Sequence, residues 1–253
     1  MNRLDSEGTI TPAELKVLGW YGLSYRVAFW MNMSDAERDS LVANAGAAGV
    51  KLLPILTVRY DGVAHEPRAA AWDQWAAYVA NTVRRYPAIH AWEVWNEPNV
   101  VKFGGTIAVH RWRPFVARTA RVIHSARPGT KAVAGGVSVS RPGWRRWLKV
   151  TGVDAVGLHP YTPTAAKALR YIREARRIAG KPIWVTELDW TGGGDRWAAT
   201  ELRQFVRAFH GPTYWYHLRD NPYVPRSYGS DGLFTQSWKP KPVWNELLRG
   251  RTP

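Results

Sequence analysis

The run IHAWEVWNEPN, residues 89–99, decides the reading of this chain. It opens as a short apolar run of the kind that makes a buried strand, and Pro98 stops it. Side chains alternate across a strand, so Glu97, Trp95, Glu93 and Ala91 are predicted on one side and Asn96, Val94 and Trp92 on the other. A carboxylate is then set at the carboxyl end of a strand, beside an amide and between aromatics. That composition suits sugar chemistry: aromatics stack on sugar faces, an amide grips a hydroxyl, and a carboxyl group moves a proton.

Working outward, strand and helix patterns alternate. Strands are predicted over residues 23–30, 51–58, 131–139, 154–162, 182–190 and 212–220, besides the run already quoted. Pro54 is an awkward guest in the second of these, and Gly135-Gly136 in the third permits close backbone approach. Helices are predicted over 11–18, with Thr11 capping and Pro12 in the first turn, and over 34–48, with a Ser34/Glu37 capping box. Others cover 67–86, 109–126, 142–150, 165–179, 195–209 (capped by Asp195) and 242–248; residues 223–241 form a long loop. Such alternation argues a parallel sheet with helices outside, and 253 residues is close to the length of a (β/α)₈ barrel. A doubly wound open sheet is the rival, but no Gly-rich phosphate loop follows the first strand. The expected architecture is a single TIM-barrel-like domain over residues 1–253. Its first strand is missing or vestigial, unless residues 8–11 supply a stub.

Composition bounds the rest. No linker, repeat or low-complexity segment divides the chain, no stretch is apolar enough to span a membrane, and the first residues lack the apolar centre of a signal peptide. Either the protein is not exported, or a leader has been removed. Cysteine is absent, which excludes disulfides and thiolate metal sites. Thirty-five basic against twenty acidic residues leave a formal charge of +15. That excess attracts polyanions or marks a solvated, Arg-rich exterior.

In a barrel of this kind, functional groups gather at the carboxyl ends of the strands. Those ends carry Arg26, Asn96, Glu97, His159, Tyr161, Glu187 and Trp215. Glycoside cleavage needs a pair of carboxyl groups, one to protonate the leaving oxygen and one to attack or to activate water. Here the chain resembles the retaining (β/α)₈-barrel glycoside hydrolases of clan A, most closely families 39 and 5. EVWNEPN resembles their strand-four motif and VTELDW their strand-seven motif. HPY, GGVSVS and the terminal KPKPVW are also similar to family members. The resemblance implies Glu97 as acid/base, Glu187 as nucleophile and Asn96 as the grip on the sugar 2-hydroxyl. It further implies that Arg26 and Tyr161 hold Glu187 and that Trp215 floors the first sugar subsite. Trp30, Trp190 and His159 complete the expected substrate-binding set. No cofactor is implied.

Other residues read more plainly. Glu93 is expected as a buried, paired core acid, and Trp72, Trp75 and Trp112 as helix core. The remaining histidines, at positions 65, 90, 110, 124, 210 and 217, show no ligand spacing such as HExxH, so no metal is expected. A carbohydrate is the expected partner. A nucleic-acid reading rests on charge alone, without a recognition motif. A barrel lacking its first strand would expose two edges, which invites pairing with a second copy. A carbohydrate-binding barrel without turnover is the competing function.

Overall fold

The computed structural model describes residues 10–58, 71–100, 107–190, 193–216, 218–220 and 232–249. Within them, seven parallel strands run in chain order around one sheet: β1 (Ser24–Trp30), β2 (Lys51–Thr57), β3 (Ala91–Val94), β4 (Lys131–Ser138), β5 (Ala155–His159), β6 (Ile183–Leu188) and β7 (Thr213–Trp215). Helices α2 (Asp35–Ala47), α3 (Trp72–Arg85), α4 (Val109–Ala126), α5 (Ala165–Ala179) and α6 (Asp195–Ala208) alternate with them, α1 (Pro12–Trp20) precedes β1, and α7 (Pro242–Leu247) follows β7. The first and last strands approach each other without a ladder between them, so the ring is nearly closed. This is a TIM-like barrel short of one strand among the described residues. Of the proposed stub, residues 8–9 lie outside them, and Thr11 caps a helix instead.

Local chemistry explains most boundaries. Thr11 with Glu14 and Ser34 with Glu37 form reciprocal capping boxes that satisfy the first N–H groups of α1 and α2. Gly180, in the left-handed region, ends α5. Pro54 stays within β2, where it has no N–H to give, and the pairing with β3 begins only at the next residue. On α3, Trp75, Val79 and Val83 face the strands, and on α4 Trp112, Phe115, Val116 and Ile123 do so. One continuous apolar core thus fills the space between barrel and helices.

Four sequence expectations need correction. Residues 142–150 are a short 3₁₀ turn, Trp144–Leu148, and not an α-helix. Asp195 does not cap α6: Gly194 holds that position and Asp195 lies in the first turn, where its charge favours the helix dipole. The last predicted strand shrinks to three residues. The strand of the opening motif stops at Val94, because Trp95 takes a φ of 70°. The expected start of α3 at Pro67, the histidines at 65 and 217, and most of the 223–241 loop lie outside the described residues.

Candidate active site

The bend at Trp95 builds the site. A side chain with positive φ breaks the two-residue alternation of a strand, so the predicted facing of this motif fails for Trp95 and Asn96, while Glu97 lies in the same site as Glu93. The Trp95 indole points outward, buried against Trp75 and Phe115. Asn96 turns in and joins Glu93: both accept from the guanidinium of Arg26. Glu97 has a φ of 41° and is held by its own N–H, which donates to the Gly136 carbonyl at 3.1 Å. The neighbouring strand makes room through its two glycines. A Cβ at Gly135 would sit 2.4 Å from the Trp95 carbonyl, and one at Gly136 would sit 1.9 Å from Nε2 of His159. The close approach predicted for Gly135-Gly136 is therefore what lets the bend and the His159 ring coexist.

Arg26 is the hub. It is fully buried on β1 and joins Glu93, Glu187 (Nη1 to Oε1, 2.6 Å) and Asn96 (Nη2 to Oδ1, 2.8 Å). Glu93, also fully buried, accepts a further bond from the Gly136 N–H at 2.9 Å, as befits a paired core acid. The Tyr161 hydroxyl donates to the second oxygen of Glu187. His159 bridges the two motifs: Nδ1 lies 2.9 Å from Glu97 Oε1 and 3.4 Å from Glu187 Oε2, and Nε2 lies 3.0 Å from the Thr186 hydroxyl. Facing atoms of Glu97, His159 and Glu187 all lie within 4.8 Å of one another. Such a trio has the donor set for a divalent cation, but Arg26 and Tyr161 already engage both oxygens of Glu187.

Burial dominates the electrostatics. It raises the Glu97 carboxyl to about 7, against the pull of Arg26 and Arg141 and the Ser138 hydroxyl. It raises Glu187 as well, opposed by His159, Arg26 and the Tyr161 hydroxyl. Arg26 and Tyr161 do contact Glu187, as the resemblance implies, yet burial opposes its ionised form. The direct guanidinium contact belongs to Glu187 and not to Glu97, while burial works against both. His159 is lowered to about 4, so its ring is neutral near neutrality. A neutral ring donates on one nitrogen and accepts on the other, and the Thr186 hydroxyl can serve either.

The aromatic residues are arranged differently from expectation. Trp190 and Trp215 are each 3% exposed and pack edge-on at 6.5 Å, with Trp190 also on Phe205 of α6. Neither indole presents an open face for a sugar. Trp30 ends β1, half-buried on the Arg26 side of the strand, and its carbonyl accepts from Arg38. Two contributors were missed. Tyr216 is half-buried and its ring lies 6.2 Å from that of Tyr161. Alternation from the buried Tyr214 would have put Tyr216, and not Trp215, on the inner side. Thr186 carried no such signal. A register irregularity between Val185 and Leu188 lets it reach His159 while its neighbour Glu187 reaches Arg26.

A parallel barrel with two buried carboxyl groups and a guanidinium at the carboxyl ends of its strands is the architecture of a sugar-cleaving catalytic core. Residues 66–224, well over half of the chain, match the sequence model of the family described as glycosyl hydrolase catalytic core, and the chain belongs to that family. Among solved structures it is similar to a family 39 glycoside hydrolase from Bacteroides cellulosilyticus WH2. That match has 17% identity and a TM-score of 0.73, covering 94% of this chain and 60% of the other. An exo-β-1,4-mannosidase from Opitutaceae bacterium strain TAV5 matches at 15% identity and 0.73, covering 95% and 55%. A monomeric β-xylosidase from Caulobacter crescentus CB15 matches at 17% identity and 0.70, covering 94% and 63%. The chain thus spans less than two thirds of the length of these structures. A search of curated proteins returned no match.

Proposed function

We propose that the protein hydrolyses a β-linked glycoside with retention of configuration, Glu97 serving as acid and then base and Glu187 as nucleophile. The observation that carries this reading is the spacing: facing atoms of the two carboxyl groups and of His159 lie within 4.8 Å of one another. Retaining sites hold their carboxyl groups about 5–5.5 Å apart, whereas inverting sites need about 6.5–9.5 Å to admit a water. The surroundings divide the roles. Glu97, raised to about 7 by burial and facing a neutral histidine, keeps a proton to donate to the leaving oxygen. Glu187, gripped by Arg26 and Tyr161, has the cation and donor that sustain an attacking carboxylate. Once glycosylation removes its charge, Glu97 ionises more readily and activates the water that releases the sugar. Asn96, locked by Arg26, offers its amide N–H₂ to the sugar 2-hydroxyl. Tyr161 and Tyr216 take the place intended for the covered tryptophans beside the nucleophile.

The solved structures named as a β-xylosidase and an exo-β-1,4-mannosidase make aryl β-xyloside and β-mannoside the first substrates to try. Proton NMR of the first-formed sugar tests the mechanism. The β-anomer is expected before mutarotation, and the α-anomer refutes retention. Glu97→Gln and Glu187→Gln should each lower turnover by at least about 10²–10⁴-fold, the usual worth of one general acid. Sugar binding without product release would instead mark a binding barrel.

A further inference from the structure

On the outer wall of the barrel, α3 and α4 enclose a groove of 330 Å³ lined by Trp72, Arg84, Arg118, Arg121, Val122 and Ser125, among others. No carboxylate lines it. Arg84, Arg118 and Arg121 are all exposed, and none has an acidic partner among the described residues. Some arginines elsewhere on the surface are paired, Arg85 with Asp39, Arg145 with Glu174, and Arg203 and Arg249 with Glu246, while Arg173, Arg176 and Arg207 likewise have no acidic partner among the described residues; what sets the groove apart is that its three arginines line one cavity. Residues 118, 121, 122 and 125 follow helical spacing, so Arg118, Arg121 and Ser125 stand in one row along α4. The Arg118 guanidinium lies 3.9 Å above the Trp72 ring and is thereby held in place. From Trp72 to Arg84 the groove extends about 18 Å at the α-helical rise. Trp72 begins α3, so this end lies at the same face of the barrel as the carboxyl ends of the strands.

We propose that this groove binds an acidic polysaccharide, chain segments carrying carboxylate or sulfate groups, and guides it toward the catalytic face; as a statement about substrate, this rests on the glycosidase reading above. Arginine forks match planar oxyanions with two parallel hydrogen bonds. Separate stations along the groove suit charges spaced on a stiff chain, and Val122 provides an apolar floor for sugar C–H faces. The net charge of +15 adds long-range attraction for any polyanion. Single-stranded nucleic acid fits less well, because it relies on several aromatic platforms for successive bases. Here one ring lines the groove, and one of its faces is taken by Arg118.

The test is a fluorescence-anisotropy titration of the whole protein with labelled polygalacturonate, dextran sulfate, neutral dextran and DNA. Three variants are compared with the parent. One carries Arg84→Glu, Arg118→Glu and Arg121→Glu. A second carries only Arg84→Glu and Arg121→Glu, which spares the Trp72 stack should the first fail to fold. The third carries Arg173→Glu, Arg176→Glu and Arg207→Glu, with the same change of net charge elsewhere. The groove variants should lose about tenfold or more in affinity for an acidic polysaccharide, the size of one hydrogen bond to a charged group, and the third variant under about twofold. Equal losses in all variants, binding no tighter than to neutral dextran, or tighter binding of DNA through the same arginines would each overturn the proposal. Turnover of a small aryl β-glycoside, which does not reach the groove, should be unchanged in the groove variants. If no variant or parent cleaves any glycoside while groove binding behaves as expected, the catalytic reading fails and the groove stands.

Discussion

Replacing Arg26 by methionine would keep the apolar, unbranched stem of the side chain and remove everything it donates. In the parent, its guanidinium serves Glu93 through Nε and Nη2, Glu187 through Nη1 and Asn96 through Nη2, all without solvent. The variant would leave two buried carboxylates facing each other across an apolar gap. Removing one partner of a buried ion pair costs about 3–5 kcal/mol. At about 2–4 °C per kcal/mol for a chain near this size, Tm should fall by about 6–20 °C. The penalty should also depend on pH. Burial already raises Glu187 above its ordinary value of 4.5, and loss of Arg26 removes one of the groups opposing that rise. A group with a raised folded-state pKa contributes stability that is present below its unfolded value and lost as pH rises through the folded value. The gap between variant and parent should therefore be smaller at about pH 5 than at about pH 7. Urea unfolding followed by tryptophan emission at the two pH values measures it, and adding Glu93→Gln to the variant should recover part of the loss. A penalty below about 1 kcal/mol, the size of an exposed pair, would refute the view of Arg26 as the hub, and so would a penalty equal at both pH values.

Activity should decline above about pH 7 as Glu97 loses its proton, a limb of the kcat/KM profile that an enzyme using another acid would not show. The same raised value means that Glu97 weakens the fold as pH climbs from 4.5 through about 7, so Glu97→Gln should be the more stable protein at alkaline pH, by about 3 kcal/mol, in denaturant titrations. Gly136→Ala places a methyl 1.9 Å from His159 Nε2; with the ring displaced, turnover should fall about 10²-fold, with about 1–3 kcal/mol of destabilisation, whereas unchanged kinetics would show that His159 has no positioning role. Trp95→Ala should cost about 3–5 kcal/mol in stability, because its ring packs on Trp75 and Phe115; an effect confined to KM would restore Trp95 to the sugar-facing side.

The sequence alone determined the class of fold and the order of its parts, and it singled out the two strand-end carboxyl groups that the structure brings together. Alternating apolar periods place strands and helices in turn. The cap at Thr11 and the capping box at Ser34 mark helix starts within a residue of those observed. The WNEP and TEL motifs fall at the ends of β3 and β6. Such features are local, since each depends on residues within a turn or a strand of one another. What the tertiary structure alone decided is which way the chain faces where regular structure stops. Two-residue alternation holds only while the backbone stays extended, and the left-handed turn at Trp95 shifts its parity, exchanging the expected places of Trp95 and Asn96. The irregularity in β6 similarly brings Thr186 and Glu187 to one site. The electrostatic arrangement was equally out of reach. Arg26 is 67 residues from Glu93 and 161 from Glu187 in the chain. Only the closure of the sheet around the guanidinium takes both carboxylates out of water, and that burial raises Glu97 and Glu187 together.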